Sequence, residues 1–285
     1  MAAIAVAMVA VSTSAILIRL SDAPSIVKAL YRSLFMTLLI LPFAFEYRED
    51  FREISGRDWL FALVSGIALS LHFAAWFESL DWTSVAASVT LVQTQPIFVT
   101  VAAWLFLDEY LNSRMLAGIL VALGGLLVMS AGGLLGTGVV GADPLLGNTL
   151  AVVGAIMAAG YVLAGRSLRQ RMSLIPYVLV VYAVATVMLF LYTVAQGQAL
   201  TGYPPREWIL FLAMAIGPGI FGHTLINWSL KYVESTVVSV SLLVEPIGSA
   251  LLALFIFFEV PGPATLLGGA IVLLGIFVTS RSRSV

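Results

Sequence analysis

Eleven residues separate Gln95-Pro96-Ile97 from Glu109, and eleven separate Glu245-Pro246-Ile247 from Glu259. The two copies stand 150 positions apart, and the same offset pairs Gly118 with Gly268 and Gly125 with Gly275. Upstream, His72-Phe73-Ala74-Ala75-Trp76-Phe77 is echoed by His223-Thr224-Leu225-Ile226-Asn227-Trp228 at an offset of 151, so one residue is deleted between the His and Pro positions. A gapped series extending over three helices and a loop is an internal repeat, and a repeat decides the fold before any single element does. It divides the chain into residues 1–135 and 136–285.

The surroundings of the repeat are apolar. Of 285 residues 61% are hydrophobic and 10% charged, against roughly 45–50% and about 25% in a soluble domain. Too few charged side chains remain to cover a soluble surface, so the chain reads as an all-α integral membrane protein. A helix needs roughly 20 mostly apolar residues to cross the hydrocarbon. Ten such runs can be traced, at about 2–20, 25–45, 58–80, 84–107, 111–131, 145–166, 174–195, 206–230, 234–258 and 263–281. The first run lacks a basic leader and reads as a retained span, not a signal peptide. Basic residues near span ends stay on the cytoplasmic side. Placing both termini inside collects Arg48, Arg52, Arg57, Arg114, Arg166, Arg169, Arg171, Lys231, Arg281 and Arg283 there, against Arg19, Lys28 and Arg206 outside. The expected place is therefore the cell membrane, with both termini cytoplasmic.

Ten transmembrane helices in two repeats give five per repeat. An odd number makes the second repeat enter the membrane from the opposite side, and inverted five-helix repeats are a carrier design with a midplane site between them. The doubled Pro-Ile-(eleven residues)-Glu pattern and the ten spans resemble the EamA branch of the drug/metabolite transporter (DMT) superfamily over essentially the whole chain. The resemblance implies a small-molecule permease, usually an exporter, with alternating access at a central cavity and substrates such as amino acids, drugs or other metabolites. It also implies a basic residue early in the second span, where Arg32 stands. The second repeat departs there, because the offset of 150 lands on Tyr182.

Ionisable groups at membrane depth are costly, so they usually face the bundle interior or a wet cavity. Arg32, His72, His223 and Glu245 lie well inside spans, whereas Glu78, Glu109 and Glu259 lie near span ends within reach of water. His72 and Trp76 share one face of span three, and His223 and Asn227 repeat that spacing in span eight. Each histidine either lines a cavity or satisfies a neighbouring helix. Gln95 and Glu245 precede Pro96 and Pro246, which read as kinks that free the carbonyls of Val92 and Leu242. Pro218, within Gly217-Pro218-Gly219, reads as a hinge or a static kink. Arg32 either meets a substrate carboxylate or Glu245, or snorkels to the outer interface beside Lys28. Ser14, Tyr161 and Trp228 complete the candidate cavity lining. Trp59, Trp82, Trp208 and Tyr110 read as interfacial anchors.

Zero cysteines exclude disulfides and thiolate chemistry. No HExxH, GxSxG or Walker loop is present, so no enzyme, cofactor or self-contained pump is expected. A net charge of −1 leaves no basic footprint for nucleic acid. The expected partners are a small-molecule substrate, protons as a candidate co-substrate, and the lipid bilayer. A channel and a membrane-embedded enzyme are the competing readings.

Overall fold

The computed structural model describes residues 2–106, 112–134, 141–229, 241–242 and 244–281. Glu109, Tyr110, Lys231 and Arg283 lie outside the described residues. Among the described residues every regular element is helical. In chain order these are α1 (Ala2–Ser12), α2 (Ser14–Leu20), α3 (Ser25–Ile40), α4 (Arg48–Glu53), α5 (Gly56–Trp82), α6 (Val85–Val92) and α7 (Gln95–Phe106). There follow α8 (Ser113–Leu134), α9 (Pro144–Leu168), α10 (Leu174–Ala195), α11 (Pro205–Met214), a π-helical segment (Ala215–Thr224), α12 (Leu225–Ser229), α13 (Val244–Phe257) and α14 (Pro263–Arg281).

Among the described residues, seven helical stretches are long and apolar enough to cross a membrane: Ala3–Leu20, Ser25–Phe45, Gly56–Trp82, Val85–Ala102, Pro144–Leu168, Leu174–Ala195 and Pro205–Ser229. Three shorter apolar helices, Ser113–Val128, Val244–Phe257 and Pro263–Thr279, fall within the remaining apolar runs. The chain is a multi-pass membrane protein.

Local chemistry sets the helix ends and breaks. Ser55 and Ser84 each accept a main-chain N–H two residues into the helix that follows, satisfying a donor the first turn leaves orphaned. The first apolar run breaks at Thr13, where the hydroxyls of Ser12 and Thr13 donate back to the carbonyls of Met8 and Ala10. Such back-bonding competes with the helical ladder. The fourth run stops at Val92 and resumes at Gln95. Pro96 is therefore the second residue of a new helix, where an N–H would have no intrahelical partner anyway; the kink expected from sequence is a break. Pro246 is the third residue of α13. Pro218 sits inside the π-helical segment, beside an apolar groove of about 540 Å³ whose walls include Val9, Thr13, Gly217 and Phe221.

The tightest crossing joins α8 to α14. A Cβ on Gly118 would lie 2.8 Å from the Gly275 carbonyl oxygen, and one on Gly125 would lie 2.7 Å from that of Gly268. Only small residues permit backbones to approach this closely in a membrane.

One end of the bundle is laced together by polar contacts between distant parts of the chain. Arg19 pairs with Glu259 at 3.2 Å, Arg206 with Asp22 at 3.0 Å, and Lys28 with Asp81 at 3.8 Å. Ser21 donates to Glu207, Ser25 to Asp81 and Tyr31 to the Leu200 carbonyl. Glu259 does not reach water as its place near a span end suggests: its side chain is 4% exposed. Phe258 adopts a left-handed φ of 54° at the end of α13, and the turn carries Glu259 against the start of α6, where Oε1 accepts the Val85 N–H at 2.7 Å. A carboxylate there satisfies an orphan donor and complements the helix dipole. Burial holds the Glu259 carboxyl above its ordinary range, while Arg19 and the α6 N–H groups pull it back. The opposite end has fewer such links among the described residues. There Arg171 donates to Asp58 at 2.7 Å, and Arg48 and Arg52 pair locally with Glu49.

Candidate functional site

Polar and aromatic side chains from several helices meet in the bundle interior. Arg32 on α3 is at its centre and is 0% exposed. It does not snorkel to the interface: the ring of Phe73 lies 4.5 Å and that of Phe77 5.5 Å from its guanidinium carbon. Lys28, one turn away, is buried as well and turns to Asp81. Cation–π contacts compensate part of the desolvation of a buried guanidinium. Nη1 donates to Ser14 Oγ at 3.0 Å, whereas Nε and Nη2 have no partner among the described residues. Ser14 begins α2 directly after the break at Thr13, which is how span one delivers a hydroxyl to this depth.

The two histidines differ. His72 on α5 is buried and donates its Nδ1–H to the Gly154 carbonyl of α9 at 2.9 Å. A carbonyl only accepts, so this bond fixes the ring tautomer. His72 stacks on Trp76, ring centroids 5.7 Å apart, and the buried Trp76 Nε1–H has no partner among the described residues. His223 is half-buried in the π-helical segment and meets Phe73 edge to face at 5.7 Å. Phe73 thus carries Arg32 on its face and contacts His223. Asn227 is buried on α12; its Nδ2 donates to Tyr161 Oη at 2.7 Å and to the His223 carbonyl at 2.8 Å. Trp228 is 42% exposed.

Glu245 is buried near the start of α13, and its Oε2 accepts from Gln93 Nε2 at 2.5 Å. Arg32 and Glu245 feel each other's charge, but they form no ion pair. Gln93, not Gln95, meets this carboxylate; Gln95, two residues further on, is half-buried. The helix break at Gln93-Thr94 turns its own Gln93 side chain, not that of Gln95 beside the proline, toward α13. Tyr182 was visible from sequence only as the residue standing opposite Arg32 in the repeat. It is buried and shares a hydrogen bond with Thr224 at 3.0 Å, and it lies within electrostatic reach of the guanidinium. Gln93 is the residue that sequence reasoning missed; its polarity at membrane depth was the available signal. Among the described residues no group of three or more His, Asp or Glu could hold a metal ion.

Residues 1–131 and 145–281 match the EamA-like transporter family. An uncharacterized transporter of Archaeoglobus fulgidus is 24% identical over 257 residues, covering 90% of this chain and 87% of the relative. The pseudopaline exporter CntI of Pseudomonas aeruginosa is 24% identical over 254 residues, covering 89% of this chain and 85% of the exporter. A chain known from a crystal structure superimposes with a TM-score of 0.66 at 18% identity, over 99% of this chain and 96% of that one. At that identity the superposition speaks for the fold alone.

Proposed function

Because the chain belongs to the EamA-like transporter family, we propose that it is a secondary transporter of small organic metabolites, amino acids among them. It works by alternating access at a midplane cavity between two inverted five-helix halves, residues 1–135 and 136–285. The seven long helices and three shorter apolar ones supply the ten spans of this reading.

The observation that carries it is the α8–α14 crossing. Gly118 meets Gly275 and Gly125 meets Gly268. A shift of 150 positions turns Gly118 into Gly268 and Gly125 into Gly275, so it exchanges one contact for the other. Along the two helices these contacts run in opposite directions, which supports a two-fold axis across the helices, in the membrane plane. Equivalent spans meet elsewhere too: two and seven at the Thr37–Thr186 hydroxyls, 3.2 Å apart, and four and nine at Gln93–Glu245. Exchanging the conformations of the halves then interconverts the inward-open and outward-open states. In this reading the cavity is lined by Ser14, Arg32, His72, Trp76, Gln95, Tyr161, His223, Asn227, Trp228 and Glu245, with protons as the candidate coupling ion. The cell membrane is its place, and export is its direction, as in the Pseudomonas aeruginosa relative.

Counterflow of labelled solute in proteoliposomes tests the function. Saturable uptake accelerated by unlabelled solute inside is expected; flux that never saturates would make the protein a channel. Because the chain has no cysteine, single cysteines also read the topology without background. Those at Arg52 and Arg169 are expected to react from the cytoplasm and one at Gly202 from outside, and the reverse pattern would invert the assignment.

The histidines are expected to separate. His72→Ala removes the imidazole that donates to the Gly154 carbonyl and stacks on Trp76, and it is expected to lower stability by roughly 1 kcal/mol or more. His223→Ala breaks no side-chain hydrogen bond among the described residues, so it is expected to alter transport affinity with little change in melting temperature. Equal losses of melting temperature in both variants would put His223 in the same structural role as His72.

A further inference from the structure

We propose that Arg32 is the recognition site for a carboxylate on the transported solute, which makes the solute an organic acid or a zwitterion. The proposal rests on the transporter reading and adds to it the chemistry of one end of the substrate. Its basis is the set of donors that Arg32 leaves unused.

A guanidinium presents its donors on distinct edges. On one edge Nε–H and Nη2–H point in parallel, spaced to meet the two oxygens of a carboxylate. Those are the two atoms without a partner, and the side chain that bears them is fully buried. The remaining nitrogen, Nη1, is fastened to Ser14. Phe73 and Phe77 lie against the guanidinium, so it is held from the side and by its π contacts while Nε and Nη2 stay unpartnered among the described residues. Two unsatisfied charged donors in a membrane interior are a standing cost, and a protein that needed only packing here would be served by an apolar side chain.

Two other fates for the fork fit the geometry less well. Glu245 is the carboxylate within electrostatic reach, yet it makes no contact with Arg32 and its Oε2 is engaged by Gln93. A phosphate would bring up to two negative charges toward one cation and the neighbouring Glu245. A monoanionic carboxylate matches the single positive charge. A solute that also carries an ammonium group would find the Glu245 carboxyl within electrostatic reach of the guanidinium, so zwitterions fit both charges.

The test is binding to the purified full-length protein, read by thermal shift and titration. The probes are the proteinogenic amino acids and short mono- and dicarboxylic acids, each against its carboxamide and, where it exists, its decarboxylated amine. At least one acid is expected to bind, with its amide weaker by roughly tenfold or more. Arg32→Gln is expected to bring the acid down to the level of the amide, and Arg32→Lys to restore part of the difference. The comparison of acid with amide in the parent protein needs no variant, so a misfolded Arg32→Gln chain leaves the proposal open to refutation. Equal binding of acid and amide, an unchanged ratio in a folded Arg32→Gln protein, or no binding by any carboxylate in the set would each overturn it. Counterflow separates this failure from that of the transporter reading. Saturable counterflow confined to solutes without a carboxylate retains the transporter and rejects the Arg32 site. Acid binding that depends on Arg32, with no counterflow of any solute, retains the site and rejects the transporter.

Discussion

Gly275→Val is expected to yield no protein that purifies as a folded monodisperse species. A Cβ at position 275 would lie 2.4 Å from the Ala122 main-chain nitrogen and 2.6 Å from the Gly118 carbonyl oxygen. Both obstacles are backbone, so no side-chain rotation relieves them, and valine adds two methyl groups beyond the Cβ. The helices must separate, which breaks the facing contact at Gly118, where a Cβ would meet Thr279 nitrogen at 2.7 Å. Overpacking a close core costs about 1–3 kcal/mol and more where backbone must move, and this crossing joins the two proposed halves. Gly124→Val on the facing helix α8 is the control, since nothing lies within 4 Å of its added carbon. Size-exclusion yield and the thermal unfolding midpoint measure the outcome. A Gly275→Val protein with the parent's midpoint would mean that the backbones are not in contact.

Arg19→Ala is expected to open the laced end of the bundle. Arg19 holds Glu259 at 3.2 Å and also donates to the carbonyls of Leu80 and Thr83. Its loss leaves a carboxylate that is 4% exposed without its cation, and breaking a buried pair in this way costs roughly 3 kcal/mol or more. A shift of that size changes the ratio of closed to open forms by roughly a hundredfold. The readout is the rate at which an impermeant thiol reagent, applied from the side of Gly202, labels Ser14→Cys. The pH dependence has a definite sign. Burial raises the Glu259 carboxyl in the closed form, so that form binds a proton more tightly than an opened form in which the group meets water. Closure gains stability below the ordinary carboxylate range and loses it as pH rises through the raised value. Labelling is therefore expected to slow on acidification. Glu259→Gln keeps an acceptor for the Val85 N–H and removes the titrating group, so its labelling rate is expected to be flat in pH. A rate unchanged in Arg19→Ala, and unchanged by pH in the parent, would show that this pair does not hold the end shut.

The apolar runs and the offset of 150 were legible in the sequence because both are one-dimensional patterns. The four glycines related by that offset meet crosswise in the folded chain, Gly118 with Gly275 and Gly125 with Gly268, because close helix approach demands small residues at regular spacing. Arg32 was legible as an unusual residue, but its depth was not. A side chain this long reaches either the interface or the interior, and the choice falls to Phe73, Phe77 and Ser14, which lie far from it in sequence or on another helix. Glu259 was misread for the converse reason. Its position after a helix end suggested water, whereas the left-handed residue Phe258 folds it back onto α6. No sequence rule places a phenylalanine in that conformation. Gln93 escaped notice because the repeat pointed to Gln95, and a two-residue break in the helix changed which of them faces Glu245.

His72 comes sixteen residues after Gly56, the first residue of its helix, whereas His223 comes eighteen after Pro205, the first residue of α11. The wider turns of Ala215–Thr224 absorb that surplus. They deliver His223 and Asn227 to the site without a break in the chain. Each residue of an ordinary helix advances the phase by about 100°. Should one such turn tighten into a regular one, everything beyond it would rotate by about that angle, and Asn227 would swing away from Tyr161. The groove beside Gly217 and Phe221 leaves space for the motion. Span eight is in effect a screw thread with slack wound into it, able to present or withdraw its polar edge by a change of pitch.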